Sequence, residues 1–174
     1  MSAKVFDLTG KVVVVTGAAG GIGMAVCRQL GGSGAIIILS DIDKSGLEHS
    51  KTELDSLGIK CGTFVGNTSI ESEVIALYQY VLKEFGVPDV LVNNAAQGTH
   101  TPPQDTTLEI WNRVIGTSLT GYFLNAREFA KLVIPAKKPA VVVNISSIAG
   151  SSAIGRGNFA YSTAKGGVNQ FTRE

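Results

Sequence analysis

Five short runs of apolar, mostly β-branched residues recur along the chain, at Lys11–Val15, Ala35–Ser40, Lys60–Val65, Val90–Val92 and Ala140–Ile145. None shows the strict alternation of polar and apolar positions that marks a strand with one wet face, and the last reads AVVVNI. The pattern predicts strands buried on both faces. Between them, Ile22–Leu30, Lys44–Leu57, Ser69–Phe85 and Asp105–Ile134 carry apolar residues at helical spacing. Strands alternating with helices predict an α/β fold, a doubly wound parallel sheet with helices on both faces. Because the crossovers in such a sheet are right-handed, the ligand is expected at the carboxyl ends of the strands. The final stretch, Ala160 to Glu174, has helical spacing in Tyr161, Ala164, Val168 and Phe171 and stops without a Gly or Asn cap, so the sequence is expected to end inside a helix. No repeat or linker divides the chain, which reads as a single domain over 1–174.

Composition narrows the function. With 15 Lys+Arg against 14 Asp+Glu and no block of like charge, nothing suggests nucleic acid or an anionic membrane as a partner. Apolar runs such as Val12–Val15 and Ala35–Leu39 fall far short of the roughly 20 residues of a membrane span. The start, MSAKVFDLTGK, lacks the pattern of a secretory signal, and Cys27 and Cys61 have no ligand-like spacing. A reducing, cytoplasmic location is expected, with both cysteines as small buried hydrophobes. His49 and His100 are isolated, so no metal site is expected.

The chemistry follows the strands. After the first comes Thr16-Gly17-Ala18-Ala19-Gly20-Gly21-Ile22-Gly23, a GxxxGxG turn that opens a helix. Gly17 permits the turn, Gly21 lets the backbone approach a pyrophosphate, and Gly23 lets the helix pack on the strand, with free N–H groups and the positive dipole end facing the phosphates. Asp41, at the end of the second strand, stands where a carboxylate accepts both hydroxyls of an adenosine ribose, which favours NAD over a 2′-phosphorylated cofactor. Asp43 is the better candidate to cap the following helix. Asn93 and Asn94 end the fourth strand, and Ser146 and Ser147 end the fifth. Tyr161 and Lys165 then lie four apart, on one helix face. A cation beside a phenol favours the phenolate and brings it within range of acid–base work.

In that order these features resemble the classical short-chain dehydrogenases/reductases, over the whole chain. The resemblance implies a Rossmann-type α/β/α sandwich and a cofactor site of Gly17, Gly21, Ile22, Gly23, Asp41, Ile42, Asn67, Thr68, Asn94 and Ala95, with Tyr161 and Lys165 at its nicotinamide end. It implies that Tyr161 exchanges a proton with the substrate oxygen, that Ser147 hydrogen-bonds that oxygen, and that Lys165 holds the nicotinamide ribose. The implied activity is NAD-dependent interconversion of a secondary alcohol and a ketone.

Four departures qualify the likeness. Ser118 replaces the Asn of W-x-x-V-I-x-x-N-L-x-G and is expected to keep part of its catalytic role. Ala96 replaces the glycine of NNAG, where its methyl group faces the adenine side. Asn67 replaces an Asp that accepts from the adenine amine, and its amide oxygen is expected to serve. Ser147 stands one residue farther from Tyr161 than is common, to be absorbed by a loop through Ser151–Asn158. The family also continues into two more strands and a substrate loop; with those last strands missing, a bare apolar edge beside Ala140–Ile145 is expected, with poor cofactor affinity and weak activity if the 174 residues are the whole polypeptide, whereas for a fragment the enzyme reading applies to the longer parent chain. Dimers or tetramers are implied for an intact chain. A nucleotide-binding module with a regulatory role or none is the alternative function. A nucleotide-sugar epimerase or a methyltransferase on a similar sheet fits less well, since a methyltransferase has no use for the Tyr–Lys pair.

Overall fold

The computed structural model describes residues 6–153, 155 and 157–174. The first five residues of the start examined for a signal, and Ile154 and Arg156 of the Ser151–Asn158 loop, lie outside them. Five parallel strands, β1 (Val12–Thr16), β2 (Ile36–Asp41), β3 (Cys61–Val65), β4 (Val90–Asn93) and β5 (Val141–Asn144), form one sheet in the order β3-β2-β1-β4-β5. Helices α1 (Gly21–Gly32), α2 (Lys44–Ser56), α3 (Glu71–Phe85), α4 (Leu108–Ile115), α5 (Gly121–Val133) and α6 (Phe159–Arg173) complete the fold.

The residues of β1 show why the central strands carry no polar face. Val13 and Val15 join Met24, Cys27, Leu47 and Leu54 under α1 and α2, while Val12 and Val14 join Val74, Leu77, Val81, Leu124 and Phe129 under α3 and α5. Successive side chains of a strand point to opposite faces, so a central strand covered on both sides must be apolar throughout. The chain leaves β1 in one direction to β2 and returns on its other side as β4, which makes the gap between the carboxyl ends of β1 and β4 the switch point of the sheet.

Three expectations change. The stretch Asp105–Ile134 is not one helix: Asp105 ends a short 3₁₀ turn, and Thr107 starts α4 by accepting the Ile110 N–H on its side-chain oxygen. Gly116–Thr120 then widens into a π-helical turn before α5. The edge strands β3 and β5 are not buried on both faces: Val65 is exposed by 50%, and Val141, Val142 and Val143 by 55%, 39% and 41%, which is the bare edge expected at Ala140–Ile145. Cys27 is fully buried, and burial pushes its thiol up to about 12, but Cys61 on the opposite edge strand is partly exposed beside Asp55. Among the described residues no helix is long and apolar enough to cross a membrane.

Candidate functional site

The turn after β1 is fastened to the end of β4 by side chains. Thr16 Oγ1 accepts from the backbone N–H of Asn94 (3.0 Å) and Ala95 (3.2 Å), and Asn94 Nδ2 donates to the carbonyls of Thr16 and Gly17 (3.0 Å each). The two strands cannot part without breaking these bonds, so Asn94 acts as a brace rather than as a free ligand group. Gly17 has a φ of +66°, and a Cβ there would stand 2.8 Å from Ala95 Cα. At the start of α1, Gly20 offers no side-chain acceptor, and a Cβ on Gly20 or Gly21 would meet nothing within 4 Å. The first turn of the helix therefore has no side-chain cap and is open around Gly20 and Gly21, an arrangement whose N–H groups suit a phosphate group.

Asp41 borders the adjoining cleft, which is also lined by Thr16, Gly17, Ile42, Asn67, Thr68, Ala95, Ala96 and Thr117. Its Oδ2 accepts from the Ala19 N–H (3.0 Å) and its Oδ1 from the Asp43 N–H (3.1 Å), which fixes the carboxylate at the rim. Asp43, not Asp41, caps α2, and the Gly46 N–H and Ser45 hydroxyl hold its carboxyl below the usual range. Ile22 and Ile42 stand exposed by 62% and 63%. Asn67 departs from expectation: its Oδ1 already accepts from the Ser69 N–H (2.9 Å) and Ser69 Oγ (2.7 Å). Both lone pairs of that oxygen are engaged, so an adenine amine finds no free acceptor there. Thr68 turns its hydroxyl to Asn125 Nδ2 (2.6 Å).

Helix α6 brings Tyr161 and Lys165 together, with the Lys165 Nζ 5.6 Å from the centre of the Tyr161 ring. Tyr161 is half-buried, and among the described residues its hydroxyl has no hydrogen-bond partner. Lys165 is 1% exposed, and burial pulls its ammonium down to about 8. Ser147, partly exposed, caps the next turn through the Ala149 N–H (3.1 Å), and its neighbour Ser146 bonds to Asn169 of α6. Ser118 lies fully buried inside the π turn, where its Oγ accepts from the Gln97 N–H and donates to the Gln97 carbonyl, both at 3.0 Å. It holds the loop after β4 and makes no bond to Lys165. The group that does so is Tyr122, whose hydroxyl accepts from Lys165 Nζ at 2.9 Å. Sequence reading missed Tyr122 because a tyrosine on an amphipathic helix looks like core.

Comparison with known proteins decides the family: the short chain dehydrogenase profile matches residues 11–174. The chain belongs to the short chain dehydrogenases. The chain is 34% identical to glucose 1-dehydrogenase 2 of Bacillus subtilis (strain 168) over 95% of its own length and 65% of that relative's. It is also similar to a short chain dehydrogenase from Mycobacterium smegmatis, with 34% identity and a TM-score of 0.91 over 97% of this chain and 72% of that one. An NAD⁺-bound xylitol dehydrogenase follows, with 32% identity and a TM-score of 0.88 over 94% of this chain and 63% of that one. The doubly wound α/β fold of this chain is thus shared with solved members of the family, and the chain spans just under two thirds of the length of the curated relatives it matches.

Proposed function

We propose that this chain carries the cofactor half and the proton-transfer group of an NAD(H)-dependent oxidoreductase acting on a secondary alcohol or a ketone. One juxtaposition carries the reading: a half-buried phenol, whose hydroxyl has no partner among the described residues, lies beside a buried ammonium, on the helix that follows the strand beside β4. The uncapped first turn of α1 would hold the pyrophosphate, and Asp41 would accept from the adenosine ribose. Gly23, Ile42, Thr68 and Ala95 would wall the nucleotide. When bound, the nicotinamide supplies or accepts the hydride. Tyr161 gives a proton to the substrate oxygen in reduction and takes it in oxidation, at its hydroxyl. Ser147 orients that oxygen, and Lys165 keeps positive charge beside the phenol and offers an N–H to the nicotinamide ribose. The substrate is a small molecule. The family likeness supports the reaction class, and the charge at the cleft supports NAD over NADP.

That charge gives the test. Asp41 is the one charged residue among the described residues lining the cleft, so a 2′-phosphate would meet a carboxylate with no Arg or Lys to neutralise it. Titration followed by nicotinamide fluorescence is expected to give a Kd for NADH at least about tenfold below that for NADPH, a difference of about 1.4 kcal/mol. Equal affinities would refute the role of Asp41. Binding of NADH without turnover of any alcohol or ketone would favour the nucleotide-binding module, for which Ser118 in place of the usual Asn, its hydroxyl engaged with Gln97, is the supporting observation.

A further inference from the structure

Lys165 makes no ion pair among the described residues, though its amine is almost wholly enclosed. Its Nζ donates to the Tyr122 hydroxyl (2.9 Å) and to the Ile145 carbonyl (2.6 Å), and the Tyr122 hydroxyl donates to the same carbonyl (3.0 Å). The three groups close a ring that uses two of the three N–H bonds of the ammonium. Tyr122 is 1% exposed, and its own aromatic face lies 4.7 Å from the ammonium. Asn93 fixes the backbone at this point by donating from Nδ2 to the Tyr122 carbonyl (3.3 Å) and to Asn144 Oδ1 (3.0 Å). The π turn at Gly116–Thr120 lies just before Tyr122 and, being wider than an α turn, sets which face the following residues present.

We propose that Tyr122 is the positioning residue for Lys165: its hydroxyl and the Ile145 carbonyl hold two N–H bonds of the ammonium and leave the third for a cofactor hydroxyl. The last clause rests on the oxidoreductase reading, whereas the holding of Lys165 does not. Helix α5 thus acts on the lysine through Tyr122, while Ser118 on the π turn acts on the loop at Gln97. Three elements face the ammonium, with Tyr122 from α5, Tyr161 from α6 and the Ile145 carbonyl after β5, and none of them brings a carboxylate. With only neutral acceptors around a buried cation, loss of one of them must show in its titration.

The test compares Tyr122→Phe with Ser118→Ala in the purified chain without cofactor, reading the Lys165 side chain by carbon-13 NMR across pH. Tyr122→Phe keeps the ring over the ammonium and removes the hydroxyl that accepts from Lys165 and donates to the Ile145 carbonyl, so with one acceptor lost to the ammonium the midpoint of Lys165 is expected to fall by about one pH unit. Ser118→Ala is expected to leave that midpoint in place. A Tyr122→Phe midpoint equal to that of the wild type, or an equal fall in Ser118→Ala, overturns the proposal. If Tyr122→Phe does not fold, 3-fluorotyrosine at position 122, a poorer acceptor of the same shape, must move the midpoint the same way, and no movement overturns it. In parallel, NADH affinity is expected to weaken roughly tenfold in Tyr122→Phe. If the wild type binds no NADH, the oxidoreductase reading fails, and the Lys165 titration still decides the role of Tyr122.

Discussion

Tyr161→Phe is expected to lower turnover about a hundredfold to ten-thousandfold, the usual worth of a positioned acid–base group. The substitution isolates that role because the ring stays. It keeps its place near Lys165, 5.6 Å from Nζ, and the hydroxyl it loses has no protein partner among the described residues. Stability should therefore change by less than about 0.5 kcal/mol, and NADH affinity by no more than a few-fold. Steady-state rates with a panel of secondary alcohols and ketones, beside an NADH titration, separate the outcomes. Unchanged turnover would remove Tyr161 from the chemistry, and absent turnover in the wild type with NADH still bound would favour a binding module.

Gly23→Ala is expected to abolish cofactor binding and to destabilise the fold by about 2–4 kcal/mol. A Cβ at this position would lie 2.1 Å from the Gly17 carbonyl oxygen and 2.8 Å from Asn94 Nδ2. Neither neighbour can yield cheaply. The Gly17 carbonyl is backbone in a turn at positive φ, and Asn94 Nδ2 is the donor that ties that turn to β4. Moving them apart opens the switch point of the sheet, so the loss of binding and the loss of stability have one cause. Thermal melting should show Tm lowered by roughly 5–15 °C. Gly20→Ala is the control, since a Cβ there meets nothing within 4 Å, and its Tm should stay near that of the wild type. A Gly23→Ala chain that melts normally would refute the close-packing argument.

Much of this architecture can be read from the residues alone, for reasons that also explain what escapes. The central strands are legible to within about a residue because covered strands must be apolar at every position, a demand that leaves an unbroken run such as Val12–Val15. The Gly17–Gly23 turn, Asp41 and the Tyr161–Lys165 pair follow from local spacing, and they do gather along one edge of the sheet. The π turn at Gly116–Thr120 escaped because it shifts the helical period by a single residue inside an otherwise regular pattern. The bond from Tyr122 to Lys165 joins residues 43 apart in sequence, and nothing in either local pattern announces it. Asn67 shows a third kind of miss: its residue type allowed an acceptor, but the Ser69 N–H two positions on had already claimed the oxygen.

The buried ammonium of Lys165 also sets how the fold responds to alkali. Its pKa of about 8 lies below the ordinary 10.5, so the unfolded chain holds this proton more tightly than the folded one. Below pH 8 both states carry the charge, and the folded state bears the full cost of enclosing it. Between about 8 and 10.5 only the folded state sheds the proton, and this group's contribution to stability rises with pH until the unfolded chain sheds it too. Near neutrality, then, the folded chain carries the cost of enclosing a charged rather than a neutral amine, and that cost is the thermodynamic trace of keeping a cation beside Tyr161.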